Sequence, residues 1–488
     1  MKNLRKASLL LALLMMASTA CGTADDKGKD AKDTTPTDTT PLTTQADMSN
    51  VLEVPDGLTS NYDTISILTA EGKLASVDEL TDEDADVLTK AMYDRTVKVE
   101  DKFGIDLTFT PVNPWGDTQS LARQSVNSGS DDYQFVFTCA SHMVNLVNEG
   151  LFLPHSDLPY IDIDKPWWNK EYIESVSIIA DDPYILFGDI SYNMLQRTAC
   201  VFFNINLLES KMNMQPSDLY ELVYNGEWTI DKFTELVHSV YEDANGNTLN
   251  DGDDIHGLAL FSANQVDWLA YSSGIEFTTR DEDGYPVIDL YNNTTIDLAE
   301  KLYKLQFGSE GVYDYKDNGK HSSAFSQGKS VFFVNRFLCC DWFREMKDDY
   351  GILPMPKYDE SIDGYHSTVE TLVQWGGVPV TVSDPIYVSA VAEALAYYSR
   401  ELTTPAYYES TLKLKLTRDD ESMAMIDLIM SNRDTDFLYI NRLKKLGDIF
   451  KRIVTDGQNN FASNYATLET AGETALKTLI QTFEDARE

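Results

Sequence analysis

The chain has 488 residues, with 39 Lys and Arg against 79 Asp and Glu and a formal net charge of −40. That balance argues against a nucleic-acid partner, because phosphate contacts need a basic surface. It matches a soluble chain that avoids anionic envelopes, but net charge governs solubility and association and leaves function open.

Lys2, Arg5 and Lys6 precede an apolar run at 9–17, and Ser18, Thr19, Ala20 and Cys21 follow. A basic patch, a short apolar core and small residues make an export signal over 1–20. The run falls short of the roughly 20 apolar residues that a spanning helix needs. Cys21 directly after small residues resembles a lipobox, in which the thiol is acylated and becomes the new N-terminus; Ser18 stands where Leu is usual. An ordinary export signal with an incidental Cys is the other reading. A multiply acylated Cys21 anchors a chain stably, where one acyl group would not. The expected place is the outer face of the bacterial cytoplasmic membrane, with the lipid as the only membrane contact. Residues 21–55, including TTPTDTTPLTT, hold almost nothing that could form a core. They read as a disordered tether spreading roughly 30 Å. The remaining stretch of about 430 residues is too long for one simple core and implies two or more lobes.

An alternating β/α pattern opens the globular part. A strand at 64–69 precedes a helix starting near Thr81, where Asp84 completes a capping box. Leu88, Met92, Val99 and Phe103 mark its apolar face, and Gly104 ends it. Ile105, Leu107 and Phe109 alternate as the next strand. A helix at 117–126, a strand at 133–138 and a helix from Ser141 continue the succession, which implies a parallel sheet with helices on its faces. Residues 201–350 read as mostly helical, with good helices at 231–241 and 296–307 and a strand at 331–334. YGILPMP, from Tyr350, suits an extended crossing because of its prolines. From Pro385 the chain is helical again, with Met423, Ile426 and Met430 on one core-facing side.

No P-loop, G-x-S-x-G, HExxH or dinucleotide fingerprint occurs, so no catalytic cofactor is expected. The six histidines, at 142, 155, 238, 256, 321 and 366, lack metal-ligand spacing. Cys139 and Cys200, in apolar strand-like surroundings, read as buried free thiols. Among 79 carboxylates a catalytic pair could lie concealed, because spatial distance is not written in sequence. An anchored glycan hydrolase therefore stands as the alternative from another class, and an adhesin-like lipoprotein as a third.

One local motif has sharp spacing. In DANGNTLNDGDD, residues Asp243, Asn245, Asn247, Leu249 (by its carbonyl), Asp251 and Asp254 occupy positions 1, 3, 5, 7, 9 and 12 of an EF-hand-type loop. Hard oxygen donors at alternate positions wrap Ca²⁺ in a short turn. Thr248 replaces the Gly of position 6, and Asp254 the bidentate Glu of position 12. A structural Ca²⁺ and a metal-free polar turn are both open.

Several blocks, in order, resemble the family 1 extracellular solute-binding proteins of ABC importers, the group that includes maltose-binding protein. They are PWWN at 166–169, FGDIS at 187–191, VFFNINLLE at 201–209, GEWTIDKFTELV at 226–237, FSQGKSVFFV at 325–334, YGILPMPKYDE at 350–360 and YYESTLKLKLTRDDES at 407–422. The resemblance implies an α/β fold of the periplasmic-binding-protein-like type II. Two α/β lobes are joined by a hinge, with a ligand cleft between them. Lobe one would combine 56–196 with 352–403, and lobe two 197–351 with 404–488. The implied role is capture of a carbohydrate, an oligosaccharide, by a monomer that delivers it to permease subunits without turnover. Peptides and other polar solutes remain open as cargo.

Sugars present flat C–H faces and hydroxyl rims, so aromatic rings with Asp and Arg make suitable contacts. Trp115 follows a strand end, where open α/β sheets place ligands. Asp189 and Tyr192 fall at the first implied crossing between lobes. Trp268, Arg336 and Trp342 are candidates on lobe two, and Trp375 on lobe one. For each aromatic, core packing is the competing reading. Trp167, Trp168 and Trp228 read as structural.

Overall fold

The computed structural model describes residues 50–70, 86–113, 116–260, 263–315, 318–412 and 420–487. Its strands, in chain order, are β1 Thr64–Ala70, β2 Asp106–Val112, β3 Phe135–Cys139, β4 Ala199–Asn204, β5 Tyr241–Glu242, β6 Ile255–Leu260, β7 Thr278–Arg280, β8 Pro286–Ile288, β9 Val312–Asp314, β10 Ser330–Arg336, β11 Tyr350–Leu353, β12 Ser367–Thr368, β13 Gln374–Gly377 and β14 Arg433–Asp434. Two of the sheets they form carry the architecture.

The first sheet runs β13-β3-β1-β2. β1 pairs in parallel with β2 and β3, and β13 closes the edge antiparallel to β3. The parallel pairs follow from the intervening helices Val87–Phe103 and Gly116–Asn127, which carry the chain back across the sheet. Gly104 ends the first of these in the left-handed region at φ 67°, as its sequence position indicates. That helix begins at Val87, with the Asp86 side chain accepting from the Thr89 N–H; the expected start at Thr81 lies outside the described residues. β13 approaches at backbone range. A Cβ at Gly376 would lie 2.3 Å from the Phe137 ring, and one at Gly377 2.8 Å from Phe152.

The second sheet runs β11-β4-β10-β6-β5, with β9 also paired to β6. Its central strands are apolar on both faces: Val201, Phe202 and Phe203 of β4 and Val331 to Val334 of β10 are all fully buried. Residues 201–350 are thus mostly helical with strands between, as expected, but the strands beyond 331–334 were not located from sequence. Strands as short as Tyr241–Glu242 and Val312–Asp314 carry too few residues to display a period of two. The expected helix at 231–241 ends at His238, so Tyr241 is a strand residue.

Both sheets belong to one unit, residues 49–488. The long helices Pro385–Tyr398 and Phe461–Arg487 complete its C-terminal part. Within it, the two indole N–H groups of the PWWN block donate to one buried carboxylate, Trp167 to Glu393 Oε1 at 2.9 Å and Trp168 to Oε2 at 2.7 Å. Trp228 is fully buried and donates to the Pro354 carbonyl at 2.9 Å. Cys139, Cys200, Cys339 and Cys340 are free, buried thiols. Burial pushes their pKa values up, which keeps them protonated and unreactive.

Candidate functional site

The carboxyl ends of β1 and β3 lie at Ala70 and Cys139, and that of β10 at Arg336. Strand ends of this kind are where open α/β sheets receive ligands. Residues 369–374 border both sheets. On one side the N–H groups of Ala140 and Ser141 donate to the carbonyls of Val373 and Thr371, at 2.7 and 3.1 Å. On the other, Val369 forms an antiparallel bridge with Thr198, and the Glu370 N–H donates to the Arg197 carbonyl at 2.9 Å.

Glu370 is the hub of this junction. Its Oε2 accepts from Arg197 Nη1 at 2.8 Å and lies 2.7 Å from Arg336 Nε. The Arg336 N–H itself is not aimed at that oxygen, so the contact is electrostatic, without hydrogen-bond alignment. The Arg336 guanidinium also sits over the Trp268 ring, 5.6 Å from its centroid, and Nη1 donates to Asn335. Trp268 in turn donates to the Tyr439 hydroxyl at 3.1 Å. Arg442 reaches the same place from the C-terminal part, donating to Thr371 Oγ1 at 3.4 Å. Behind it Lys451 lies 3.0 Å from the fully buried Asp267, whose pKa burial raises to about 7 against the pull of Lys451.

On the first-sheet side the polar groups are neutral. Gln374 donates from Nε2 to Thr69 Oγ1 and the Ala70 carbonyl, both at 3.3 Å, and accepts from Ser191. Its backbone N–H is held by Asn193 at 2.8 Å. These amides fix the end of β1 against the start of β13.

The residues expected from sequence divide into three groups. Arg336 and Trp268 meet at the junction, although Trp268 is buried beneath the guanidinium as its platform. Trp342 is 44% exposed on the short helix Cys339–Trp342 just beyond β10. Next to it, Asp341 is within electrostatic reach of Tyr192, as is Asp86 at the start of the first long helix. The second group serves the fold. Asp189 is buried and accepts from Arg400 at 3.1 Å and Thr404 Oγ1 at 2.7 Å, so both its oxygens are committed. Tyr192 is buried against Tyr407, with ring centroids 5.7 Å apart. Trp375 is a correction: at 2% exposure it packs edge-on to Tyr172 and donates to that hydroxyl at 3.2 Å, inside the first-sheet core. Trp115 and Cys21 form the third group, outside the described residues.

Sequence reasoning missed Glu370, Gln374, Arg197, Asn193 and Arg442. One signal was available. Adjacent residues on a strand face opposite ways, so the QW pair at 374 and 375 offered two sides, and choosing the aromatic picked the core side.

A separate cavity of about 320 Å³ is lined by Arg280, His366, Asp434 and Asp436 among others. Its polar groups already serve the fold. Arg280 donates to the carbonyls of Glu174, Ser175 and Ser177 at the end of the helix Lys170–Val176. Asp436 caps the helix Phe437–Asn441, and His366 pairs with Asp434 at 2.6 Å.

The DANGNTLNDGDD loop folds on itself. Asp243 accepts from the N–H groups of Gly246, Asn247 and Thr248. Asp254, fully buried, accepts from those of Ala244 and Asp251. Asn245 and Asn247 donate to Asp251, and Leu249 turns its carbonyl toward Tyr241 at 3.5 Å. Thr248, at position 6, has φ 62°, the left-handed backbone that makes Gly the usual residue there. The donor chemistry is that of a hard cation. Among the described residues, however, no group of three His, Cys, Asp or Glu side chains is gathered to hold a metal.

No protein-family model and no curated protein sequence matches the chain. Solved structures do. It is similar to a cyclo/maltodextrin-binding protein complexed with maltotetraose, at 13% identity over 88% of this chain and 98% of that one, with a TM-score of 0.54. It is also similar to the maltose/maltodextrin-binding domain MalE of Bdellovibrio bacteriovorus bound to maltotriose, at 14% identity, 86% and 100% coverage and a TM-score of 0.50. UgpB of Mycobacterium tuberculosis in complex with glycerophosphocholine matches at 12% identity, 86% and 100% coverage and a TM-score of 0.53. The fold is that of the type II periplasmic-binding-protein-like group, as the sequence blocks implied.

Proposed function

We propose that the chain captures a carbohydrate between two lobes that close over it, and hands it unaltered to an importer permease. The observation that carries this reading is the junction at Glu370, which ties Arg197 and Arg336 from the second sheet to the segment entering the first. Strand ends from both sheets flank it, the exposed Trp342 follows Arg336 closely in the chain, and two solved structures of similar fold hold oligosaccharides. A ligand that touches both lobes stabilises the closed state by the excess of its contacts there over those in the open state. Micromolar capture corresponds to about −8 kcal/mol. One stacked aromatic and several charge-assisted hydrogen bonds are of the right size for that.

In this reading lobe one is 56–196 with 352–403, and lobe two is 197–351 with 404–488. An acylated Cys21 anchors the monomer outside the cytoplasmic membrane. No helix among the described residues is long and apolar enough to cross a membrane. Asp243, Asn245, Asn247, Leu249, Asp251 and Asp254 would hold a structural Ca²⁺, which supplies positive charge to a loop rich in oxygen donors and takes no part in capture.

A thermal-shift series against mono- and oligosaccharides tests the reading. A sugar at a hundred times its Kd adds about 2.7 kcal/mol of stability. Silence of every sugar, or cleavage of a bound one, would overturn it.

A further inference from the structure

We infer that the captured carbohydrate carries a negative charge, a uronate carboxylate or a sulfate ester, received by Arg336 and Arg442 beside Glu370. The inference rests on the capture reading above and names the cargo of the same cleft.

The chain carries 79 acidic residues against 39 basic ones, yet the junction reverses that balance. Arg197 and Arg336 share one oxygen of one carboxylate, Glu370. Arg442 joins them through Thr371, the next residue in the chain. In the layer behind, Arg442 and Lys451 share Asp448, and Lys451 also faces Asp267. Four cations thus face three carboxylates in a protein where acids outnumber bases twofold.

The guanidinium groups also retain unused donors. The Nε–H group of Arg442 is buried without an acceptor, and that of Arg336 lies 2.7 Å from Glu370 Oε2 without pointing at it. A buried donor left unsatisfied costs stability unless something completes it. Arg336 is held in place from below by the Trp268 ring, so little side-chain freedom is lost when an anion binds. Arg442 is held by the backbone. Residues 442 to 445 all have positive φ, at 54°, 27°, 55° and 74°, and none of them is glycine. Four successive non-glycine residues in that region store strain, and strain of this kind gathers at binding sites.

A neutral sugar can accept these N–H groups on its hydroxyl oxygens. It cannot balance their charge once a closing cleft excludes water. A carboxylate or sulfate does both, through paired charge-assisted hydrogen bonds that match the guanidinium fork.

The test is isothermal titration of the full-length chain with three ligands of comparable length: a neutral maltooligosaccharide, an oligouronate and a sulfated oligosaccharide. At least one acidic ligand is expected to bind about tenfold or more tightly than the neutral one, with affinity falling as salt rises. Arg336→Gln should remove that preference and Arg336→Lys should restore part of it. Uronate binding alone identifies a carboxylate, and sulfated-ligand binding alone a sulfate. Should Arg336→Gln fail to fold, Arg442→Gln, at a side chain 40% exposed, carries the same comparison. Equal affinity for neutral and acidic ligands, unchanged in both variants, would overturn the charge assignment and leave capture standing. Failure of all three carbohydrates to bind would overturn both.

Discussion

Arg336 Nε, at the end of β10, lies 2.7 Å from Glu370 Oε2, in the segment that enters β13 of the other sheet. Their side chains are 15% and 9% exposed, so the pair is largely withdrawn from water. Removing one partner of a buried pair costs far more than the pair contributes, because the remaining charge is uncompensated. Glu370→Gln leaves Arg197 and Arg336 without their shared anion. It is expected to lower stability by about 3–5 kcal/mol, read as a shift in the urea midpoint. A shift worth under about 1 kcal/mol would place the pair among exposed bridges of little weight.

The PWWN block predicts a separable effect. Trp168→Phe keeps an aromatic ring at the site but deletes the N–H that reaches Glu393, together with part of the buried indole. Loss of one hydrogen bond to a buried carboxyl should cost about 1–3 kcal/mol. Carbohydrate affinity should stay unchanged, because the block is outside the junction. Thermal melting and ligand titration of the same variant check both parts, and a loss of affinity would link the block to the cleft.

Stability should fall as pH rises from 6 to 8. Burial raises Glu393 and Asp267 to about 7 and Asp436 to about 6, all above ordinary carboxylate values. Their folded forms therefore hold protons that the unfolded chain has released. The associated stability is complete below about pH 4 and is lost as pH rises through 6 and 7. His366, raised by Asp434, acts with the same sign. His155 and His256, lowered to about 4 by burial, act oppositely, and their share is lost as pH falls from about 6.5 toward 4. Above pH 6 the carboxyls dominate. Scanning calorimetry should show Tm declining from pH 6 to 8; a rise across that interval would contradict the assignment.

The calcium loop gives a direct measurement. Adding Ca²⁺ to chelator-treated protein should raise Tm, and Asp254→Ala should abolish the rise. Thr248→Gly should stabilise the metal-free chain by up to about 1 kcal/mol, since φ 62° is strained for Thr and free for Gly. No response of Tm to Ca²⁺ would leave a metal-free polar turn.

Much of the fold was legible in the sequence where a signal is local. Gly104 ends its helix, the strands expected at 64–69 and 133–138 fall at β1 and β3, and the ordered blocks imply the two-lobe α/β architecture. The second sheet was read less fully because its central strands are buried on both faces and its edge strands, such as Tyr241–Glu242 and Val312–Asp314, are very short. The site was harder, for a different reason. Arg442 meets Thr371 across 71 residues, and Trp268 meets Tyr439 across 171, separations that no periodicity encodes. Aromatic identity misled at Trp375, whose bulk fills a core, while the smaller Gln374 beside it holds the strand end.

Small-angle scattering of the chain with and without a saturating carbohydrate tests capture by closure most directly. A smaller radius of gyration is expected in the bound state, with the sugar recovered intact. A bound ligand that leaves the radius unchanged, or returns as cleaved fragments, would contradict it.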